Sequence, residues 1–271
     1  MTLVDTHSHL YEPEFDDDRD AAVERALAAG VQTMLLPAID SESHERMFAL
    51  ARKYPDAFRV MMGLHPTSVN DNPHWRDELA TVERLLDSPP EGISFAGVGE
   101  IGLDFYWSQD FRQEQVEAFR AQCELALRHD LPIAVHTRSA YDEMAAIIGE
   151  FRGSGLRGVF HAFGESAEVY RRLRACGDFK FGIGGVVTYK KAQAAETVVE
   201  MELDDIVLET DCPYLTPVPY RGKRNESSYD VHVCRRVAEL KGLPVAEVAA
   251  ATTRNAARVF RLGFGNQSFW Q

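Results

Sequence analysis

Short β-branched or aliphatic runs alternate along the chain with longer stretches in which apolar residues return every three or four positions. The first pattern marks buried strands and the second amphipathic helices. The runs at residues 3–7, 31–37, 58–63, 94–99, 132–136, 158–161, 179–184 and 206–210 predict eight strands. Helical periodicity covers residues 18–29, 43–54, 76–86, 112–128, 141–151, 167–175, 191–201 and 229–240, and a further segment, 245–260, follows. A helix between successive strands is the crossover that returns the chain to the same sheet edge, so the strands pair in parallel. Eight such units favour closure into a (β/α)8 TIM barrel over an open sheet. The alternative, a doubly wound sheet, lacks its signature, because no Gly-rich GxGxxG turn follows the first run. No internal repeat, low-complexity tract or linker interrupts the pattern, and the Pro/Gly-rich stretch 213–222 reads as the loop after the eighth strand. The expected organisation is one domain over residues 1–271.

Polar residues gather at one end of these runs. The first leads into Asp5-Thr-His7-Ser-His9, the third into Gly63-Leu-His65-Pro and the fourth into Gly99-Glu100-Ile-Gly-Leu-Asp104. The fifth ends in His136-Thr-Arg138, the sixth in His161-Ala-Phe-Gly and the eighth in Glu209-Thr-Asp211. In a barrel these ends share the C-terminal face, where barrel enzymes assemble their sites. His7 and His9 are two apart on an extended segment, so both imidazoles point the same way. With Glu100, His136, His161 and Asp211 they make six nitrogen or oxygen donors, enough for two divalent ions with room for water. Imidazole and carboxylate together suit Zn, Mn, Fe or Ni, and Mg where more waters are kept.

Each residue also has an ordinary explanation. A lone strand-end His is usually a satisfied polar residue, Glu100 could cap a helix or pair with a cation, and Asp211 could cap the helix after the eighth strand. These explanations act singly and do not say why the strand-context histidines fall at the same end. His44, His74, His129 and His232 lie in helical or loop patterns and are taken as structural. Arg138 offers a fork of donors that matches phosphate oxygens, or else pairs with Asp104 or Glu209. His65 stands at a strand exit, where it could donate to a substrate anion, and Arg221, Lys223 and Arg224 form either a phosphate-steering patch or a solvated loop.

Composition adds limits rather than a function. The 271 residues are 45% hydrophobic and 26% charged, as in an ordinary soluble globular protein. No run of roughly 18 apolar residues offers a transmembrane helix. The opening MTLVDTHSHL lacks the basic region, apolar stretch and cleavage site of a secretory signal. Four cysteines without CxxC spacing fit a reducing compartment, so the cytoplasm is the expected location. With 29 Lys and Arg against 42 Asp and Glu, the net charge of −13 repels phosphate backbones and argues against a non-specific nucleic-acid coat protein. A nucleic-acid enzyme stays open, because a bound divalent ion reverses the potential inside one cleft.

The segments DTHSHL, GLHP, GEIGLDFYW, the Leu-Pro-Ile-Ala-Val-His-Thr-Arg stretch, HAFG, the run 182–188 and LETDCPYLTPVPYRGKRN follow one another in this order. Over nearly its whole length the sequence resembles the TatD family of metal-dependent hydrolases, within the amidohydrolase superfamily. That resemblance implies a (β/α)8 barrel that binds one to three divalent ions, two of Mg, Mn or Zn being expected here. It implies hydrolysis of phosphodiester bonds, as in a deoxyribonuclease with 3′→5′ exonuclease action. Carried over by motif, one metal falls to His7, His9 and Asp211, a second to His136 and His161, and Glu100 bridges the two. His65 and Arg138 match positions that contact substrate phosphate. Two departures bear on substrate choice: Ala162 stands where a Cys is common, and the loop Arg221-Gly-Lys-Arg-Asn225-Glu-Ser lacks the family's proline.

The expected mechanism follows from charge. Two ions sharing a carboxylate acidify a bridging water, Asp211 accepts its proton, and the ions with Arg138 neutralise the equatorial oxygens of the phosphate. Glu100, rather than a lysine, occupies the fourth strand end, so the bridge needs no carbamylation. The expected substrate is DNA, single-stranded or at 3′ ends, with neither a membrane nor an obligatory protein partner. The alternatives are a metal-dependent amide, lactone or ester hydrolase, including a D-aminoacyl-tRNA deacylase-like activity, and a non-catalytic metal-binding protein.

Overall fold

A computed structural model describes residues 1–263. Its eight strands are β1 (Leu3–Asp5), β2 (Val31–Pro37), β3 (Phe58–Met62), β4 (Phe95–Asp104), β5 (Ile133–Arg138), β6 (Arg157–Phe160), β7 (Asp178–Ile183) and β8 (Ile206–Leu208). The helices between and after them are α1 (Arg19–Ala29), α2 (Ser41–Lys53), α3 (Trp75–Asp87), α4 (Arg112–Arg128), α5 (Tyr141–Glu150), α6 (Ala167–Arg174), α7 (Gln193–Glu200), α8 (Asp230–Lys241) and α9 (Val245–Phe260). Each strand pairs in parallel with its neighbour in sequence, from β1 through to β8. The two edges meet: Thr6 N donates to the Leu208 carbonyl at 3.0 Å and Asp211 N to the His7 carbonyl at 2.9 Å. The result is the nearly closed (β/α)8 barrel that the alternating pattern predicts.

Side chains two apart on a strand share a face, and here the two faces belong to separate apolar clusters. Met34 and Leu36, Val60 and Met62, and Ile133 and Val135 pack with helical residues such as Met47 and Phe119. The residues between them, Leu35, Met61 and Ala134, join Val4, Val159 and Val207 inside the barrel. Ala256, Val259 and Phe260 of α9 complete this inner cluster, so α9 covers the N-terminal mouth. Asn255 anchors the helix there, donating to the Leu203 and Ile206 carbonyls at 2.9 and 2.8 Å.

Several boundaries differ from the pattern. The fourth run, expected over 94–99, continues to Asp104, so Glu100 and Asp104 lie within β4 rather than beyond it. The pairing with β5 slips by one residue between Val98 and Ile101 and then runs on to Asp104↔Arg138. Glycines hide this continuation in the sequence: at Gly102 φ is +149° and a Cβ would lie 1.9 Å from the His136 carbonyl, so only glycine fits. Conversely β1 ends at Asp5, which leaves His7 and His9 on the chain leaving the strand. Helix α2 starts two residues early, because Asp40 accepts from Glu42 N at 3.2 Å and caps it. The four cysteines are free and buried. No helix among the described residues is long and apolar enough to cross a membrane.

Candidate metal centre at the C-terminal mouth

The C-terminal strand ends open onto a cavity of about 820 Å³. His9, His65, Glu100, His136, Arg138, His161 and Asp211 line it, and His7 lies buried directly behind. All eight residues singled out in the sequence therefore converge. The structure also removes the helix-cap explanation for two of them. Glu100 sits inside a strand and caps no helix, and Asp211 is remote in sequence from the start of α8 at Asp230.

Glu100 is the centre of the arrangement. Its Oε2 lies 3.1 Å from His7 Nε2 and 3.8 Å from His9 Nε2. Its Oε1 lies 2.9 Å from His136 Nδ1, 3.5 Å from His65 Nε2 and 3.8 Å from His161 Nε2. One carboxylate thus faces two donor sets with its two oxygens. Asp211 Oδ1 lies 3.5 Å from His9 Nε2, 3.6 Å from His161 Nε2 and 4.0 Å from His7 Nε2. Donor atoms fall within 4.8 Å of one another in the sets His7/His9/Asp211 and His65/Glu100/His136.

A second layer decides which nitrogen each histidine turns inward. His9 Nδ1 is 2.8 Å from Tyr11 Oη, whose own proton goes to the Pro37 carbonyl at 2.6 Å. The phenol oxygen therefore accepts from His9 Nδ1–H, and the Nε2 lone pair is left for the cavity. His136 directs Nε2 at Asp104 Oδ2 (2.9 Å), and His161 Nδ1 lies 3.0 Å from Glu209 Oε1, an ion-pair contact without hydrogen-bond geometry, so in both rings the other nitrogen faces the cavity. His65 has the opposite polarity. Thr67 N donates to its Nδ1 at 3.2 Å, so the neutral ring carries its proton on Nε2, facing the cavity. Outer partners that fix tautomer and ring orientation are the usual support of metal-binding histidines. Three imidazole nitrogens turned inward beside two carboxylates suit divalent cations that displace their protons, whereas His65 is built as a hydrogen-bond donor.

The charges respond accordingly. Burial favours neutral Glu100, but the imidazoles of His7, His65 and His161 outweigh it and hold the carboxyl well below the usual range. Burial likewise opposes charge on His161, yet Glu209, Asp211 and Glu100 raise it to about 10. Against the same penalty, Asp104 and Glu100 raise His136 to about 9. Both rings are therefore protonated at neutral pH unless a cation takes the proton's place, so cation uptake releases protons and weakens as pH falls.

Sequence reasoning missed four supporting residues: Asp5, Tyr11, Asp104 and Glu209. Asp5 Oδ1 accepts from His7 N (3.2 Å) and Thr210 N (3.0 Å), while Oδ2 accepts from Thr210 Oγ1 (2.6 Å), tying together the two chain ends that carry ligands. Glu209 fits because β7 has glycine opposite it: a Cβ on Gly182 would lie 1.9 Å from Glu209 Oε2. Three of the four stand two residues from a predicted ligand, the one signal that could have found them. Arg138 forms neither suggested salt bridge, since Asp104 and Glu209 are committed to His136 and His161. Its guanidinium instead lies 3.7 Å from the Tyr106 ring centre. The basic loop stays outside the cavity lining: Arg224 pairs with Asp18 at 2.7 Å and Arg221 lies 4.3 Å from the Tyr189 ring centre. His44, His74, His129 and His232 also lie outside it.

A parallel barrel with histidines and carboxylates gathered at its C-terminal mouth is the architecture of metal-dependent hydrolases. The sequence profile described as TatD related DNase matches residues 4–261. The chain belongs to this TatD family and is a metal-dependent hydrolase. It is 36% identical to YabD of Bacillus subtilis, named an uncharacterized metal-dependent hydrolase, over 96% of this chain and 99% of that one. It is 31% identical to the protein of Erwinia tasmaniensis named 3′-5′ ssDNA/RNA exonuclease TatD, over 96% of this chain and all of that one (100%). The crystal structure of YjjV, a TatD homolog from Escherichia coli, superposes with a TM-score of 0.87 at 29% identity, covering 96% of this chain and 98% of that one.

Proposed function

We propose that the chain is a two-metal phosphodiesterase that shortens nucleic acid from single-stranded 3′ ends, working in the cytoplasm as one domain. The observation that carries this reading is Glu100, whose two oxygens face separate donor sets beneath an Arg138 left free of carboxylates among the described residues. By the family motif, one ion would fall to His7, His9 and Asp211 and the other to His136 and His161, with Glu100 shared; the close donor sets His7/His9/Asp211 and His65/Glu100/His136 support the first division and place Glu100 beside His136. Mg²⁺, Mn²⁺ or Zn²⁺ held there would lower the pKa of water towards about 7 and neutralise phosphate charge.

The protein's own groups do the rest. Asp211, largely shielded and held ionised by His161, His9 and His7 against the penalty of burial, accepts the proton of the attacking water. The Arg138 fork and the His65 Nε2–H donate to the non-bridging phosphate oxygens, where negative charge builds up in the transition state. A net charge of −13 offers a polyanion little attraction, so the reaction should depend steeply on added cation. The Erwinia relative's name, an exonuclease on single-stranded DNA and RNA, supports the same substrate class.

The test assays a 5′-labelled single-stranded oligonucleotide and a D-aminoacyl-tRNA side by side, with Mg²⁺, Mn²⁺, Zn²⁺ or excess chelator. Stepwise shortening of the oligonucleotide that stops in chelator is expected. Undiminished cleavage in chelator, or hydrolysis confined to the aminoacyl ester, overturns the proposal.

A further inference from the structure

Seven large hydrophobic side chains stand exposed among the described residues, and five of them, Tyr106, Trp107, Tyr214, Leu215 and Val218, belong to the two loops that follow β4 and β8. Trp107 is 67% exposed, Tyr106 57% and Tyr214 48%. Trp107 and Tyr214 both line the cavity that holds the donor cluster. Exposure of this kind beside a polar site marks a surface kept for a ligand.

We propose that these aromatic rings form a stacking platform for unpaired nucleobases, placed so that the phosphate between stacked bases falls on Arg138. This deepens the phosphodiesterase reading and rests on it. Hydrogen bonds from residues beside the metal centre hold both loops in place. Asp104 Oδ1 accepts from Tyr106 N at 3.0 Å and Trp107 N at 3.4 Å, while its other oxygen faces His136. Buried Asn225 donates to the Tyr214 carbonyl at 2.6 Å and to the Thr210 carbonyl at 2.8 Å, next to Asp211. The Tyr214 ring centre lies 6.3 Å from that of His9, so a base resting on it adjoins the reacting phosphate. The Arg138 guanidinium lies 3.7 Å from the Tyr106 ring centre and 5.4 Å from that of Trp107, which leaves its donors free for the backbone between.

Charge points to the same occupant. Among the described residues Arg138 is the one Lys or Arg lining the cavity, whereas Glu165 adds a carboxylate to those of the metal centre. A polyanion therefore gains little from ion pairing, and the flat π-face of each base must supply much of its affinity. A duplex keeps its base faces covered by pairing and stacking, so the platform accepts single strands.

The test compares a single-stranded oligonucleotide with one whose two 3′-terminal bases are replaced by abasic tetrahydrofuran units. For the native chain the abasic substrate should show a KM about tenfold higher. Trp107→Ala and Tyr214→Ala should raise KM for the intact strand about tenfold, acting on KM more than on kcat, and should erase the preference for bases. Trp107→Phe should restore most of it. Binding of the intact strand in chelator, followed by quenching of tryptophan emission, should weaken with salt with a log–log slope smaller in magnitude than about 2. Cleavage of both substrates with equal KM, or an unchanged KM in both alanine variants, overturns the platform while the phosphodiesterase stands. Absence of cleavage with either substrate takes down both.

Discussion

The two mouths of the barrel are made from the same eight strands, yet they hold opposite chemistries. At the N-terminal mouth Val4, Leu35, Met61 and Val207 meet Val259 and Phe260 of α9 in a dry apolar plug. At the C-terminal mouth His7, His9, Glu100, His161 and Glu209 are buried just as completely, although all of them are polar or charged. Burial of apolar surface stabilises the first outright. The second is stable only where each buried group has a partner, and its inner nitrogens and carboxylates are most fully satisfied by cations. One end therefore carries stability and the other carries chemistry at some cost in stability.

Substitutions can separate the two ends. The largest effect is expected at Glu100→Ala, which removes the one carboxylate whose two oxygens face both groups of donors. Cleavage should fall by at least about 10³-fold, and metal content measured by elemental analysis should fall for both ions, with circular dichroism unchanged. A variant that keeps its full metal complement would show that the sets are independent. Next comes Phe260→Ala in the plug, expected to lower the free energy of unfolding in urea by about 3–5 kcal/mol while activity per folded molecule at 25 °C stays the same. Loss of metal affinity in that variant would mean that the plug also positions the centre. The smallest effect is expected at Tyr11→Phe, which removes only the oxygen that accepts from His9 Nδ1. Metal affinity should drop about tenfold by titration calorimetry, without change in stoichiometry. An unaltered affinity would show that His9 needs no outer partner.

How much was legible in the sequence varied by feature. The order of strands and helices was, because buried parallel strands read as continuous apolar runs and the covering helices repeat at 3.6 residues. The end of β4 was not, since Gly99 and Gly102 interrupt the apolar run at the very positions where β5 crowds the backbone. The convergence of His7, His9, Glu100, His136, His161 and Asp211 was anticipated from their place at strand ends, a consequence of topology alone. Whether Arg138 pairs with a carboxylate was not: Asp104 and Glu209 lay within plausible reach, and only the structure shows that each faces a histidine instead. The basic loop read as a possible phosphate patch, but Arg224 is bound to Asp18, about two hundred residues earlier in the chain.

The sequence by itself determined the barrel, its one polar mouth and the residue types gathered there, because hydrophobic period and strand-end position are local properties of a chain. Only the tertiary structure decided which nitrogen of each histidine faces the cavity, that Tyr11, Asp104 and Glu209 stand behind them, and that Trp107 and Tyr214 remain in water at the rim. Those outcomes depend on distances between segments far apart in sequence, and a tautomer or an exposed ring is set by the neighbour that packing brings to it.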